Sequence, residues 1–125
     1  EIETNGTQRP WDGLGKVAAF NVSPKLSNSG VPRSRAWKLD ALRELLDTGR
    51  ARFKFVCSEE SDLDEVAELC CQARIPEPKV WIMPAGTSTV QIRQSLAHVA
   101  EAAIARRWNV TTRLHIALWG SKRGV

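Results

Sequence analysis

The sequence predicts an α/β fold in which a parallel sheet carries its helices on the outside. Short runs rich in Val, Ile, Phe and Leu alternate along the chain with longer segments of helical periodicity. This alternation is typical of parallel sheets, because each parallel strand needs a crossover connection to the next. The chain has 125 residues, which allows one domain at most, and it shows no internal repeat.

Five apolar segments bounded by turn residues are predicted as strands: 1–4, 16–22, 52–57, 79–83 and 113–118. Three segments with apolar residues at helical spacing are predicted as helices: 34–47, 61–74 and 89–107. Ser61 and the acids after it cap the second helix, while Gly49 ends the first and Pro76 follows the second. No helix precedes the first strand, so we expect this chain to be one half of a larger fold.

Composition and charge argue against several classes of protein. No stretch approaches the roughly 18 apolar residues of a membrane span, and no secretory leader opens the sequence, so a cytoplasmic protein is expected. The net charge of +4 comes from scattered Lys and Arg residues, which argues against a nucleic-acid partner. Cys57, Cys70 and Cys71 lack metal-ligand spacing, and adjacent residues on a helix do not face each other. We therefore predict no metal site within this chain.

Small and polar residues follow the predicted strands, at the edge of the sheet where parallel α/β folds bind ligands. Gly6 there could serve only a turn with positive φ, and Lys25 could be a solvated lysine, although Pro24 restricts the backbone before it. His115 could be a hydrogen-bonded core histidine. From the residues alone, the prediction is a parallel α/β half-domain with a polar, ligand-binding edge.

Four blocks at these strand ends occur in one order. They are ETNGT at 3–7, VSPKL at 22–26, VWIMPAGT at 80–87 and RLHI at 113–116, the last followed by Trp119 and Gly120. In order and spacing the blocks resemble the second half of the 7-carboxy-7-deazaguanine synthase family, which belongs to the radical S-adenosylmethionine (SAM) superfamily. The resemblance covers nearly the whole chain and implies the second half of a partial (β/α) barrel of radical SAM type.

The resemblance also implies an activity. The family is a lyase that converts 6-carboxy-5,6,7,8-tetrahydropterin to 7-carboxy-7-deazaguanine in queuosine and 7-deazapurine biosynthesis. It uses SAM, with a [4Fe-4S] cluster and Mg²⁺ held mainly by an N-terminal half that residues 1–125 do not include. By resemblance, this chain is the C-terminal half of the radical SAM domain, inactive alone, and works as a homodimer or with a complementing N-terminal half.

The resemblance assigns substrate contacts to Thr4, His115 and the carboxylate of Val125. It assigns SAM contacts to a larger set of residues: Gly6, Ser23, Pro24, Lys25, Ile82, Met83, Pro84 and Ala85. Relatives often carry an acidic residue where Ala85 stands, so the chain departs from the family pattern around the hydroxyls of SAM. Two alternatives stay open, a non-catalytic binding or assembly module of the same fold and a basic nucleic-acid-binding domain.

Overall fold

The structure, a computed structural model, describes residues 1–120 except for the side chain of Val17. Within these residues the strands are Ile2–Thr4 (β1), Phe20–Val22 (β2), Ala51–Cys57 (β3), Val80–Pro84 (β4) and Asn109–Val110 (β5). The helices are Leu14–Val17 (α1), Arg33–Ala36 (α2), Leu39–Asp47 (α3), Glu60–Ala73 (α4), Thr89–Ala105 (α5) and Leu114–Trp119 (α6). None of these helices combines the length and apolar character needed to cross a bilayer.

The five strands form one sheet in the order β1-β2-β3-β4-β5, and every neighbouring pair is parallel. Each strand therefore lies beside the next one along the chain, as in a (β/α) barrel, and the order never reverses as it does in doubly wound sheets. The predicted α/β fold with a parallel sheet is confirmed.

Helices cover one face of this sheet. Along β3 the residues Ala51, Phe53, Phe55 and Cys57 are buried, whereas Arg52 between them is exposed. Helices on both faces would bury both alternating sets of a parallel strand. The second face is therefore open within the described residues, which fits a partial barrel with outer helices.

The core lies between the covered face and the helices α3, α4 and α5. Phe53 and Phe55 are fully buried there, and apolar residues at helical spacing meet them from each helix. Leu42 and Leu45 of α3 are an example, three residues apart on one face of that helix. This packing fixes the directions of the strands, and thereby the edge at which they end.

The predicted fifth strand is wrong. Residues 114–119 form α6, and the last strand is the shorter β5, which pairs with Trp81 and Ile82 of β4. The segment 113–118 contains one β-branched residue, Ile116, among residues that favour helices. Arg107 adopts φ 62° and turns the chain just after α5. The last strand therefore begins at Asn109, before the predicted start at residue 113.

Two further predicted segments are divided differently in the structure. The segment 16–22 begins inside α1, and the strand occupies only Phe20–Val22. The segment 34–47 breaks into α2 and α3, because Trp37 and Lys38 have ψ values of 84° and 85°, outside the helical region. Trp37 uses this break to donate a hydrogen bond from Nε1 to the Lys25 carbonyl, at 3.1 Å.

The cap of α4 is also not the predicted one. Glu59 is the N-cap residue, while Ser61 is exposed within the first turn. The buried Asp62 carboxylate accepts hydrogen bonds from the backbone N–H groups of Ser58, at 2.8 Å, and Glu59, at 3.2 Å. An acid three residues after the N-cap can bond back to the N-cap in this way. The prediction of Ser61 as the cap did not include this reciprocal bond.

Candidate ligand-binding cleft

A cleft of about 420 Å³ opens where β2, β3 and β4 end. It brings together four residues of the predicted SAM set, which are Ser23, Pro24, Lys25 and Ala85. The other residues that line it are Leu26, Asn28, Ser29, Val56, Ser58 and Arg113. The motif after β2 and the end of β4 are thus on the same cleft, as parallel strand ends predict.

The backbone through Ser23, Pro24 and Lys25 is held on both sides. The N–H of Ser23 donates to the Thr4 carbonyl at 2.8 Å and so extends the β1–β2 ladder. Pro24 is fully buried, and the Lys25 carbonyl accepts the Trp37 indole hydrogen bond. The Lys25 side chain, by contrast, is exposed. A fixed backbone therefore presents an exposed cation at the cleft.

The loop after this motif is fastened to the neighbouring elements. Asn28 donates from Nδ2 to the Val56 carbonyl at 3.0 Å, which ties the loop to β3. The backbone N–H and hydroxyl of Ser27 both donate to one oxygen of Glu65 on α4, at 2.9 and 2.8 Å. These bonds keep one wall of the cleft in place without a contribution from a ligand.

The opposite wall is the chain that leaves β4. The N–H of Ala85 donates to the Cys57 carbonyl at 2.9 Å, and the Ala85 carbonyl accepts from the Ser95 hydroxyl at 2.7 Å. Gly86 follows with φ 141°, and a Cβ there would lie 2.7 Å from that of Gln91. Only glycine fits this close approach to α5, so this wall is also rigid.

Arg113 is the residue of the cleft that sequence reasoning missed. The sequence predicts it as the first residue of a strand, whereas it precedes α6 and lines the cleft beside Ala85 and Ser58. Its Nη1 donates to the Gly86 carbonyl at 3.0 Å. Its Nε is shielded from solvent and has no hydrogen-bond partner. The position of Arg113 in the RLHI block next to His115 was the available signal.

Thr4 and Gly6 lie at the end of β1, outside the cleft lining. The N–H of Gly6 donates to the Thr4 hydroxyl at 3.1 Å. Gly6 is buried with φ 77°, and a Cβ there would lie 2.5 Å from Cδ2 of Leu42. Turn geometry and packing thus account for this glycine. Its predicted contact with SAM stays a prediction.

Ile82, Met83 and Pro84 are divided between the two faces of the sheet. Ile82 and Pro84 are buried on the helix-covered face, whereas Met83 is half-buried on the open face. The alternation of side chains along a strand explains the division. Only the main-chain groups of Ile82 and Pro84 are left for the predicted contact with SAM.

His115 does not occupy the predicted strand. It is exposed on α6 and is not among the residues that line the cleft. The alternative of a hydrogen-bonded core histidine does not apply, because the residue is not buried. Val125 lies outside the described residues. The substrate contacts predicted for these two residues stay predictions.

Comparison with known proteins identifies the relatives of this chain. No protein-family model matches it. A 7-carboxy-7-deazaguanine synthase from Pyrobaculum aerophilum is 36% identical over 125 residues, which is 99% of this chain and 54% of that protein. The chain is a homologue of 7-carboxy-7-deazaguanine synthase over about half of that protein's length. The resemblance predicted from the four blocks, to the C-terminal half, is confirmed.

Two other 7-carboxy-7-deazaguanine synthases give the same result. The protein of Halobacterium salinarum is 30% identical, over 94% of this chain and 53% of the relative. That of Rhodopirellula baltica is 28% identical, over 98% of this chain and 51% of the relative. The chain thus spans about half the length of the curated relatives it matches.

The cysteines described here do not fit the iron–sulfur cluster of the radical SAM superfamily. Burial raises the pKa of the Cys57 thiol from 9.0 to about 12, and the carboxylates of Asp62 and Glu65 add to the rise. Burial alone raises the pKa of Cys70 to about 12. Within residues 1–120, no three His, Cys, Asp or Glu side chains are grouped closely enough to hold a metal. Cluster ligands are thiolates, so the protonated and separated cysteines of residues 1–120 do not fit that role.

The lining of the cleft fits one group of SAM, the carboxylate at its amino-acid end. This lining includes two cationic side chains, Lys25 and Arg113, and no acidic one. The Nε donor of Arg113 has no partner in the protein. A cationic cleft with an unused donor is suited to an anionic group.

Proposed function

We propose that this chain is the SAM-binding, C-terminal half of an enzyme that converts 6-carboxy-5,6,7,8-tetrahydropterin to 7-carboxy-7-deazaguanine. One observation carries the proposal. The Ser23-Pro24-Lys25 motif and Ala85, which lie apart in sequence, line one cleft at the edge of the sheet where parallel α/β folds bind ligands. The synthases of similar sequence support the choice of reaction.

The residues of the cleft would hold SAM in this proposal. The ammonium group of Lys25 and the hydroxyl of Ser23 are donors for its polar end, and the buried Pro24 fixes the backbone between them. Main-chain groups from Ile82 to Ala85 would border the cofactor on the β4 side. Thr4, His115 and Val125 are the proposed contacts of the pterin, on the strength of the resemblance.

The cofactor supplies the radical chemistry of the reaction, and this half of the protein binds, orients and shields. The [4Fe-4S] cluster and Mg²⁺ would be bound by an N-terminal half, on the same or another chain, and the assembly would act in the cytoplasm, as a homodimer or as complementing halves. We call the assembly that contains both halves the complete enzyme. Rigid walls at Asn28 and Gly86 keep the cleft shaped before ligand enters, which lowers the entropy lost on binding.

The proposal is tested with Lys25→Ala in the complete enzyme, with conversion of the carboxypterin and SAM affinity as measurements. A hydrogen bond to a charged group contributes roughly 1.5–3 kcal/mol, so the Kd for SAM should rise by about tenfold or more. Lys16→Ala is the matched control, because Lys16 is also exposed but lies on α1, away from the cleft. It should leave both measurements unchanged.

Other results would favour other functions. SAM binding without any product from the cluster-loaded wild-type enzyme would indicate a non-catalytic binding module. Absence of both binding and product would rule out the proposed function. Equal SAM affinity in Lys25→Ala and wild type would remove Lys25 from the site while leaving the reaction intact.

A further inference from the structure

Arg43 and Arg113 both have an Nε that is shielded from solvent and has no hydrogen-bond partner. Arg43 lies 4.0 Å from a carboxylate oxygen of Asp40, whereas Arg113 lines the cationic cleft. Its Nη1 is bonded to the Gly86 carbonyl at 3.0 Å, and no carboxylate of the described residues forms an ion pair with it. Its Nε is shielded from solvent and unpaired. Buried donors are almost always satisfied in native proteins, so an unpaired one at a cleft indicates a missing partner.

The unused part of this guanidinium has a definite geometry. Nε and Nη2 form one edge of the planar group, and the two N–H bonds of such an edge are parallel and spaced to meet both oxygens of one carboxylate. Nη1, on the opposite side, is the atom bound to Gly86. The backbone passes close to α5 at Gly86, where a Cβ would lie 2.7 Å from that of Gln91. The Gly86 bond therefore holds the guanidinium in the ligand-free structure through Nη1, and the Nε–Nη2 edge makes no hydrogen bond to the described residues.

The charges around Arg113 indicate that its missing partner is an anionic group. The cleft that Arg113 lines also contains Lys25, and none of its lining residues is acidic. Neutral donors such as Ser23 complete the wall. A cationic pair in a cleft of about 420 Å³ favours an anionic group of the ligand, such as a carboxylate, beside it.

We propose that Arg113 recognises the carboxylate of the ligand bound in this cleft, through the Nε–Nη2 edge of its guanidinium. Because Nε is shielded in the ligand-free structure, the guanidinium gives up its bond to Gly86 and turns the Nε–Nη2 edge toward the cleft as the ligand enters. The inference rests on the proposed function for its two candidate sources, since SAM and the carboxypterin each carry a carboxylate. Arg113 is a binding residue in this role, with no part in proton transfer.

The test measures affinity in the complete enzyme for two matched pairs of ligands. One pair is SAM and decarboxylated SAM, and the other is 6-carboxypterin and pterin. Each pair differs by one carboxylate. In one of the two pairs, wild type should bind the ligand with the carboxylate about tenfold or more tightly than the ligand without it. Arg113→Ala should remove that difference in affinity. Arg113→Lys keeps the charge but not the bidentate edge, so most of the preference should be lost there too.

Arg93→Ala is the matched control, because Arg93 is an exposed arginine on α5 that does not line the cleft. Thermal unfolding of each variant shows whether the fold is intact, and Arg113→Lys serves if Arg113→Ala unfolds. A preference lost with the SAM pair identifies the cofactor as the source, and one lost with the pterin pair identifies the substrate.

Three results would overturn the inference: no ligand of either pair binds, wild type shows no preference, or both Arg113 variants keep it. If the variants keep the preference while wild type still forms product, the inference fails and the proposed function stands. If the preference depends on Arg113 but no product forms, the proposed reaction fails and carboxylate recognition stands.

Discussion

Gly6 has a left-handed backbone conformation and lies close to Leu42 and Val22. Both features disfavour a side chain at this position. Its φ is 77°, and a Cβ would lie 2.5 Å from Cδ2 of Leu42 and 2.9 Å from Cγ1 of Val22. We expect Gly6→Ala to lower the free energy of unfolding by about 2–4 kcal/mol, from left-handed backbone strain and overpacking together. Urea unfolding with an unchanged slope measures the loss.

Gly30→Ala separates the two causes. Gly30 has nearly the same φ, 79°, but nothing lies within 4 Å of its Cβ position. This variant should lose only the backbone part, about 1–2 kcal/mol. Equal losses in the two variants would show that Leu42 and Val22 move aside at little cost.

The buried thiols of Cys57 and Cys70 should make the free energy of unfolding fall as pH rises in the alkaline range. The pKa of each is raised from 9.0 to about 12 by burial, so the unfolded chain loses these protons at lower pH than the folded one. Their stabilising contribution is complete below pH 9.0 and declines as pH rises toward about 12. We expect the unfolding free energy of Cys57→Ala/Cys70→Ala to decline less between these values than that of the parent. Parallel declines would contradict the shifted pKa values.

At the scale of elements, the start of α4 links helix stability to the cleft. The Asp62 carboxylate accepts from Ser58 and Glu59 N–H groups, and Ser58 lines the cleft. Asp62→Ala leaves these buried donors without their partner. We expect the free energy of unfolding to fall by about 1–2 kcal/mol, measured in urea.

Ser61→Ala is the control for this variant. Ser61 is exposed in the same turn, and its replacement should change stability by no more than about 0.5 kcal/mol. A larger loss of unfolding free energy for Ser61→Ala than for Asp62→Ala would show that Ser61 caps α4, as the sequence predicted.

The elements that the sequence predicted well are those with a long periodic pattern. The structure has α4 at Glu60–Ala73 and α5 at Thr89–Ala105, close to the predicted 61–74 and 89–107. β5 was missed because two residues, Asn109 and Val110, are too few for any period to show. Its place is decided by pairing with β4, a tertiary contact that propensity does not contain.

At the scale of the molecule, the cleft was predictable only in part. Parallel topology brings strand ends to one edge, which is why Ser23, Lys25 and Ala85 were expected together and lie together. Arg113 could not be found in this way. It joins the cleft because β5 is short and the chain returns toward Gly86, where the arginine bonds. That return depends on long-range packing, which one sequence does not reveal.

The open face of the sheet distinguishes this chain from a finished α/β domain. It presents the exposed Arg52 and the half-buried Lys54 and Trp81. The buried Asn21 also lies on this face and donates a hydrogen bond of 3.0 Å from Nδ2 to the carboxylate of the exposed Glu3. Polar and charged residues on one face of a parallel sheet are tolerated where that face lines a site, whereas a layer of helices would require apolar ones. The face thus matches the interior of the proposed barrel.

The distribution of cysteines over the molecule leads to the last prediction. A four-iron cluster needs several converging thiolates. Cys57 lies on the covered face at the end of β3, and Cys70 is buried on α4. Cys71 is exposed, but it adjoins Cys70 on a helix, where neighbours point in different directions. Within residues 1–120 the three thiols do not converge on one point, and burial raises the pKa of Cys57 and Cys70 to about 12.

We expect this chain alone, treated with iron, sulfide and reductant, to retain no stoichiometric cluster after desalting. Iron analysis and visible absorbance measure the outcome, with the complete enzyme as the positive control in the same treatment. Cys71→Ser should remove any iron bound loosely at the exposed thiol, which distinguishes surface binding from a cluster. Four irons per chain with cluster absorbance would mean that the helices rearrange to bring Cys57, Cys70 and Cys71 together. The assignment of the cluster to an N-terminal half would then be wrong. The proposal that this half binds SAM while the other half binds the cluster would be wrong as well.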